Sequence, residues 1–236
     1  AQSMFLEDIE EKRELLRGLI KGKRVLTIGA AGSIGSSTVM VLSRFEPAAL
    51  HVIDQNENGL AEFVRQFRSD SDMPQIADFR ALPLDYGSAT MRYFLGDEKP
   101  YDLVLNFAAI KHVRSEKDSY SILQMLDTNI VKLARLMRWL GQDSPEAGFF
   151  SVSTDKAANP ASFMGATKRI MEHVMFHPET AIGLTGKVTS ARFANVAFSN
   201  GSLLQSFEYR LARGEPLGGT AVGTGLNAPK GYAVLV

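Results

Sequence analysis

Apolar positions along this chain follow two alternating periods. Over residues 5–20, Phe5, Ile9, Leu15, Leu16, Leu19 and Ile20 recur at helical spacing with Glu and Arg between them. This spacing predicts an amphipathic helix, which Gly22 ends. Arg24 to Ile28 is then a short β-type run that meets a glycine-rich turn, and Ser33 to Arg44 reads as a helix. Leu50 to Ile53 is a second strand closed by Asp54, with a helix over 57–68. Ile76 to Leu82 reads as a third strand, Ser88 to Leu95 as a helix, and Leu103 to Phe107 as a fourth strand. A long helical pattern covers 119–140, Gly148 to Ser153 is a fifth strand, 161–176 is helical, and Lys187 to Phe193 is a sixth strand. Strand and helix alternate throughout, which predicts an α/β fold with a doubly wound parallel sheet. From Gly214 onward the chain is glycine-rich and lacks helical period, so a loop is expected, with a short strand near Tyr232 to Val236.

Composition narrows the setting. The 236 residues suffice for one large α/β domain. Lys plus Arg equals Asp plus Glu at 26 each, which gives no electrostatic case for nucleic acid or an anionic membrane. The absence of cysteine excludes disulfides and thiolate metal sites. No apolar run approaches the roughly 20 residues that span a bilayer. The amino-terminal stretch is charged and lacks a signal-peptide core. The expected setting is therefore the cytoplasm.

The glycine-rich turn carries the first chemistry. Gly29, Gly32 and Gly35 have GxxGxxG spacing between a strand and a helix. The first glycine permits a tight turn, the second lets backbone approach a pyrophosphate, and the third allows close helix–strand packing. Ser33, Ile34 and Gly35 open the helix, whose amino terminus offers N–H groups and partial positive charge to that pyrophosphate. Asp54 stands 19 positions past Gly35, at the end of the next strand. A carboxylate there accepts hydrogen bonds from adenosine ribose hydroxyls and repels a 2′-phosphate, which favours NAD over NADP. Asp85, after the third strand, is placed to meet the adenine amine. Asn106, Ala108 and Ala109 end the fourth strand, where small residues let the chain pass close to a cofactor. The domain division expected is an amino-terminal helix (1–20), a Rossmann dinucleotide-binding domain (21–213) and a glycine-rich tail (214–236).

Ser153-Thr154-Asp155-Lys156 follows the fifth strand, and Lys168 lies on the next helix, four positions after Met164. Residues four apart share one helix face. This arrangement resembles short-chain dehydrogenases/reductases, in which a Ser or Thr here binds the substrate hydroxyl and a Tyr-x-x-x-Lys pair follows. In that family the lysine lowers the tyrosine pKa and holds the nicotinamide ribose. Methionine occupies the tyrosine position here and can neither take nor give a proton. The run from Ser153 to Pro160, the run from Met164 to Arg169, the segments Ala108 to Val113 and Arg192 to Val196, and Asp54-Gln55-Asn56-Glu57 together resemble the polysaccharide-biosynthesis branch of the extended family. Characterised members of that branch include UDP-N-acetylglucosamine 4,6-dehydratases, and some carry Met at the tyrosine position. Nothing after Leu217 resembles the branch's substrate lobe, so that lobe is expected to be largely absent from this chain. Gly218 to Asn227 instead is similar, locally, to a segment of class II fumarases.

The resemblance implies a reaction and roles. Oxidation of the sugar C4 hydroxyl by NAD makes the C5 proton removable, water leaves from C6, and the hydride returns. Thr154 would orient the C4 hydroxyl, Lys156 would remove the C5 proton, and Asp155 would protonate the leaving hydroxyl. The base at O4 stays open between Asp155 and a water. Lys111, His112 and Asn195 are candidate contacts to a UDP-sugar, and a homo-oligomer is expected. An epimerase or reductase of the same fold, or a non-catalytic cofactor-binding scaffold, are the alternatives. His173 and His177 sit four apart on one helix face without an evident third ligand, so no metal site is expected.

Overall fold

The computed structural model describes residues 4–110, 118–194, 196–197, 202–215 and 234–235. Among them, six parallel strands form the main sheet: β1 (Arg24–Ile28), β2 (Ala49–Ile53), β3 (Asp78–Leu82), β4 (Leu103–Asn106), β5 (Gly148–Thr154) and β6 (Val188–Phe193). Their spatial order is β3-β2-β1-β4-β5-β6, with every pairing parallel. The order reverses between β1 and β4, and doubly wound sheets bind ligands in the crevice at such a switch point. The helices are α1 (Met4–Glu11), α2 (Arg13–Ile20), α3 (Ser33–Ser43), α4 (Glu57–Ser69), α5 (Ala89–Asp97), α6 (Ser119–Leu126), α7 (Lys132–Asp143), α8 (Phe163–Phe176) and α9 (Leu203–Ala212). Val196–Ala197 (β7) pairs in parallel with Val234–Leu235 (β8), inside the strand expected near 232–236.

Two apolar layers explain the winding. Leu26 and Ile28 of β1 face a core with Val104, Leu133, Leu136, Leu140, Phe149 and Met171. Val25, the intervening residue, joins the other core with Val39, Leu50, Val52, Leu60 and Phe63. Strand side chains alternate between faces, so a strand covered on both sides must be apolar throughout. β2 is buried at all five positions and apolar at four; the fifth, His51, has both ring nitrogens paired, with Tyr101 Oη and Asp78 Oδ1.

Three expectations are corrected. The helix expected over 5–20 is two helices, because Lys12 departs from helical geometry (φ −99°, ψ 10°). Its outward face also differs: Ile20 is buried, whereas Leu15 and Leu19 are exposed at 61% and 54%. The long helix after β4 runs from 119 to 143 but contains a π-turn at Asp127–Val131. Finally, α9 was not anticipated; the Ser202 hydroxyl caps it by accepting the Gln205 N–H.

Candidate functional site

The turn from β1 into α3 is built at backbone contact. Gly29 has φ +79°, and its N–H donates to the Ile53 carbonyl at 2.8 Å. A Cβ there would lie 2.5 Å from the Ala108 nitrogen. On Gly35 a Cβ would lie 2.1 Å from the Gly29 carbonyl oxygen. The absence of side chains at these two positions therefore lets β1, α3 and the end of β4 pack at backbone contact. Gly32 caps α3 with no side-chain hydrogen bond, so no cap side chain covers the helix end. The Asp54 carboxylate accepts the Ala31 N–H and the Asn56 N–H, each at 2.9 Å. A carboxylate offers about four acceptor positions, so two remain for ribose hydroxyls. This donor and acceptor set fits the adenosine diphosphate portion of a dinucleotide.

Beyond the switch point, an asparagine that sequence reasoning missed ties the site together. Asn129 lies in the π-turn and is buried. Its Oδ1 accepts the Ile110 N–H at 3.0 Å, and its Nδ2 donates to the Ile110 carbonyl at 3.1 Å and to Thr167 Oγ1 at 3.2 Å. The segment after β4 is thereby clamped to α8. Tyr86, buried, donates its hydroxyl to the Thr128 carbonyl beside the π-turn. A π-turn shifts the helical hydrogen-bond register, and such turns recur at functional sites. Three polar residues in succession, Asp127-Thr128-Asn129, within the long helical pattern were the available signal. At the start of the same segment, Asn106 accepts the Ala108 N–H at 3.1 Å and donates to Ser151 Oγ at 3.3 Å. Ala108 and Ala109 follow within this clamped stretch.

Asp85 is already engaged. Its carboxylate meets the Lys132 ammonium at 2.5 Å and the Gly87 N–H at 2.9 Å. Burial pushes its pKa up, but these donors outweigh that and hold it below the usual carboxylate range. Sequence reasoning placed Asp85 toward adenine and did not foresee Lys132 as its partner, because the pair is 47 residues apart.

The third group lies at the end of β5. Thr154 Oγ1 donates to Asp155 Oδ1 at 3.0 Å and accepts the Lys156 N–H at 3.4 Å. Asp155 and Lys156 begin a single 3-10 turn with both side chains exposed and 3.5 Å apart. Gly165 of α8 packs against this turn: a Cβ there would lie 2.8 Å from the Lys156 carbonyl oxygen. Met164 is buried on the first turn of α8. Lys168 is buried as well, and its Nζ donates to the Val152 carbonyl at 3.0 Å. Burial pulls its pKa down to about 8, with Glu172 opposing the fall.

Lys111, His112 and Asn195 lie outside the described residues. His173 Nε2 faces Arg169 Nε at 3.1 Å, and His177 Nδ1 accepts the Glu179 N–H at 3.3 Å, so protein donors meet both rings. A groove of about 460 Å³ runs beside them, lined by Arg169, Glu172, Phe176 and Arg192 among others, and does not include the glycine turn. Among the described residues, no helix is long and apolar enough to cross a membrane.

This strand order, glycine turn and β5–α8 arrangement define a Rossmann-type domain of the extended short-chain dehydrogenase/reductase class. The chain belongs to the polysaccharide biosynthesis protein family, whose model matches residues 25–222. It is 29% identical over 208 residues to the uncharacterized membrane protein MJ1061 of Methanocaldococcus jannaschii, covering 84% of this chain and 56% of that protein. To the inverting UDP-N-acetylglucosamine 4,6-dehydratase of Campylobacter jejuni (strain 81-176) it is 26% identical over 208 residues, covering 83% and 56%. The solved structure of Pen from Bacillus thuringiensis superposes with a TM-score of 0.69 at 26% identity, over 82% of this chain and 58% of that one. WbmF of Bordetella bronchiseptica, solved with NAD+, superposes with a TM-score of 0.62 at 18% identity, over 84% and 62%, and shows the fold alone. The chain spans about half the length of the curated relatives it matches.

Proposed function

We propose that this chain is the cofactor-binding part of an NAD-dependent nucleotide-sugar 4,6-dehydratase of the UDP-N-acetylglucosamine type, acting in surface polysaccharide or glycan biosynthesis. The observation that carries the reading is the Thr154-Asp155-Lys156 set at the carboxyl end of β5, beside a helix that offers Met164 in place of a proton-transferring tyrosine. A C. jejuni relative with that activity supports it. In this reading the amino-terminal helical part spans 1–20, the dinucleotide-binding part 21–213 and the tail 214–236.

NAD, when bound, supplies reversible hydride removal at the sugar C4. The Gly29–Gly35 turn and the α3 amino terminus hold its pyrophosphate, and Asp54 holds the adenosine ribose. Asp85, Asn106, Ala108 and Ala109 line the adenine and nicotinamide sides, and Lys168 serves the nicotinamide ribose. Thr154 orients the C4 hydroxyl. Lys156 takes the C5 proton, and Asp155 returns a proton to the departing C6 hydroxyl. Asp155 or a water serves at O4, because a thioether cannot. Lys111, His112 and Asn195 contact the UDP-sugar, and the active unit is a cytoplasmic homo-oligomer.

Two measurements test this. A chain extended to the length of the relatives is expected to convert UDP-N-acetylglucosamine to a 4-keto-6-deoxy sugar, whereas an epimerase gives a product that keeps its C6 hydroxyl. In the same chain Lys156→Ala should abolish solvent deuterium incorporation at C5 while NAD still binds; normal incorporation would move the base elsewhere. On the present chain, calorimetry should show NAD binding tighter than NADP, with Asp54→Ala narrowing the difference. Equal affinity of the unaltered chain for both would remove Asp54 from the ribose.

A further inference from the structure

Helix α8 buries a cation and an anion one turn apart. Lys168 and Glu172 are 4% and 8% exposed, and four-residue spacing places them on one face. Buried charges require partners. Besides the Val152 carbonyl, the Lys168 Nζ meets the Met171 sulfur at 3.4 Å, and neither group is charged. The Glu172 carboxylate, in contrast, is fully engaged. Its Oε1 accepts from Ser153 Oγ at 2.6 Å and from Arg192 Nε at 2.8 Å, and its Oε2 accepts from Arg192 Nη2 at 2.6 Å. Ser153 and Arg192 are register partners across β5 and β6. One carboxylate thus ties β5, β6 and α8 together directly beneath Thr154.

We propose that Glu172 is a positioning residue for the site: held by Ser153 and Arg192, it sets the rotation of α8 that presents Lys168 and balances the charge of the buried Nζ. This rests on the reading that Lys168 serves the nicotinamide ribose. The electrostatics agree. Burial draws Lys168 down to about 8 and Glu172 draws it back up. The Arg192 hydrogen bonds hold the Glu172 carboxyl below its usual range, so the balancing charge persists through neutral pH. The charge that acts on Lys168 is Glu172 on its own helix, and Arg192 from β6 and Arg169 from α8 act on that carboxylate. From β5 Lys168 meets the Val152 carbonyl, and the π-turn presents the neutral Asn129 to this helix at Thr167.

The test is a titration of Lys168 by NMR of ε-carbon-labelled lysine, with the resonance assigned by Lys168→Met. Glu172→Gln keeps the shape and the Oε1 acceptor, removes the charge and gives up the acceptor that faces Arg192 Nη2. Its Lys168 midpoint should fall by about one pH unit, the size expected for loss of one nearby opposite charge. NADH affinity near the wild-type midpoint should fall by up to about tenfold with it. Arg192→Met should move the midpoint the other way, because it strips a cation from the same carboxylate. An unmoved midpoint in Glu172→Gln, or in Arg192→Met should the first variant not fold, overturns the proposal. A wild-type chain that binds no NADH at any pH would instead overturn the reading of Lys168 as a ribose contact, and the NMR midpoints would still decide the role of Glu172.

Discussion

A Cβ on Gly35 would sit 2.1 Å from a backbone oxygen, and no rotamer change relieves a backbone clash. Overpacking of this kind typically costs about 1–3 kcal/mol. Gly35→Ala should therefore lower the unfolding free energy from denaturant titration by an amount in that range and weaken NAD binding together with it, since α3 must retreat from β1. Gly18→Ala is the control: a Cβ there meets nothing within 4 Å. Equal loss in the two variants would mean that the turn tolerates the displacement. At this scale the glycines and Asp54 were legible in the sequence, because turn geometry and strand-end chemistry depend on residue type and spacing. Asp54 carries more than was read from it, since it also fastens the turn through the Ala31 N–H.

Helix α8 shows how an element adds properties that its residues lack singly. The ordinary pKa of a lysine is 10.5, and in the folded chain Lys168 sits at about 8. Between those values the unfolded chain binds a proton that the folded chain has lost, so stability rises with pH across that window. Below about 8 the folded state bears the full penalty of a buried ammonium, and above 10.5 the gain is complete. The full shift corresponds to about 3 kcal/mol. Comparing unfolding free energies of the wild type and Lys168→Met from pH 7 to 10.5, the difference should shrink or invert as pH rises. A difference that stays constant would mean that Lys168 does not titrate in this range. The period of α8 was readable in advance, and so was the spacing of Met164 and Lys168. Glu172 was equally visible, but its partners Ser153 and Arg192 lie on other strands, 19 and 20 residues away.

For the molecule as a whole, the alternation of apolar runs and helical periods was sufficient to specify a doubly wound sheet. A parallel strand buried on both faces must be apolar, and its crossover must be a helix, so the pattern admits few other folds. The same logic located the glycine turn and the β5 end, because ligand sites in such sheets gather at strand carboxyl ends. Three things were decided by tertiary packing. The π-turn that aims Asn129 at Ile110 and Thr167 depends on neighbours that accept a shifted helix register. The Asp85–Lys132 pair forms because the loop after β3 meets the start of α7. Lys168 loses water because β5 covers it, and Glu172 keeps its charge because β6 supplies Arg192. Local propensity and periodicity act over a few residues and are therefore written in the sequence. Burial, charge pairing and pKa depend on which distant segments meet, and the folded chain alone sets those.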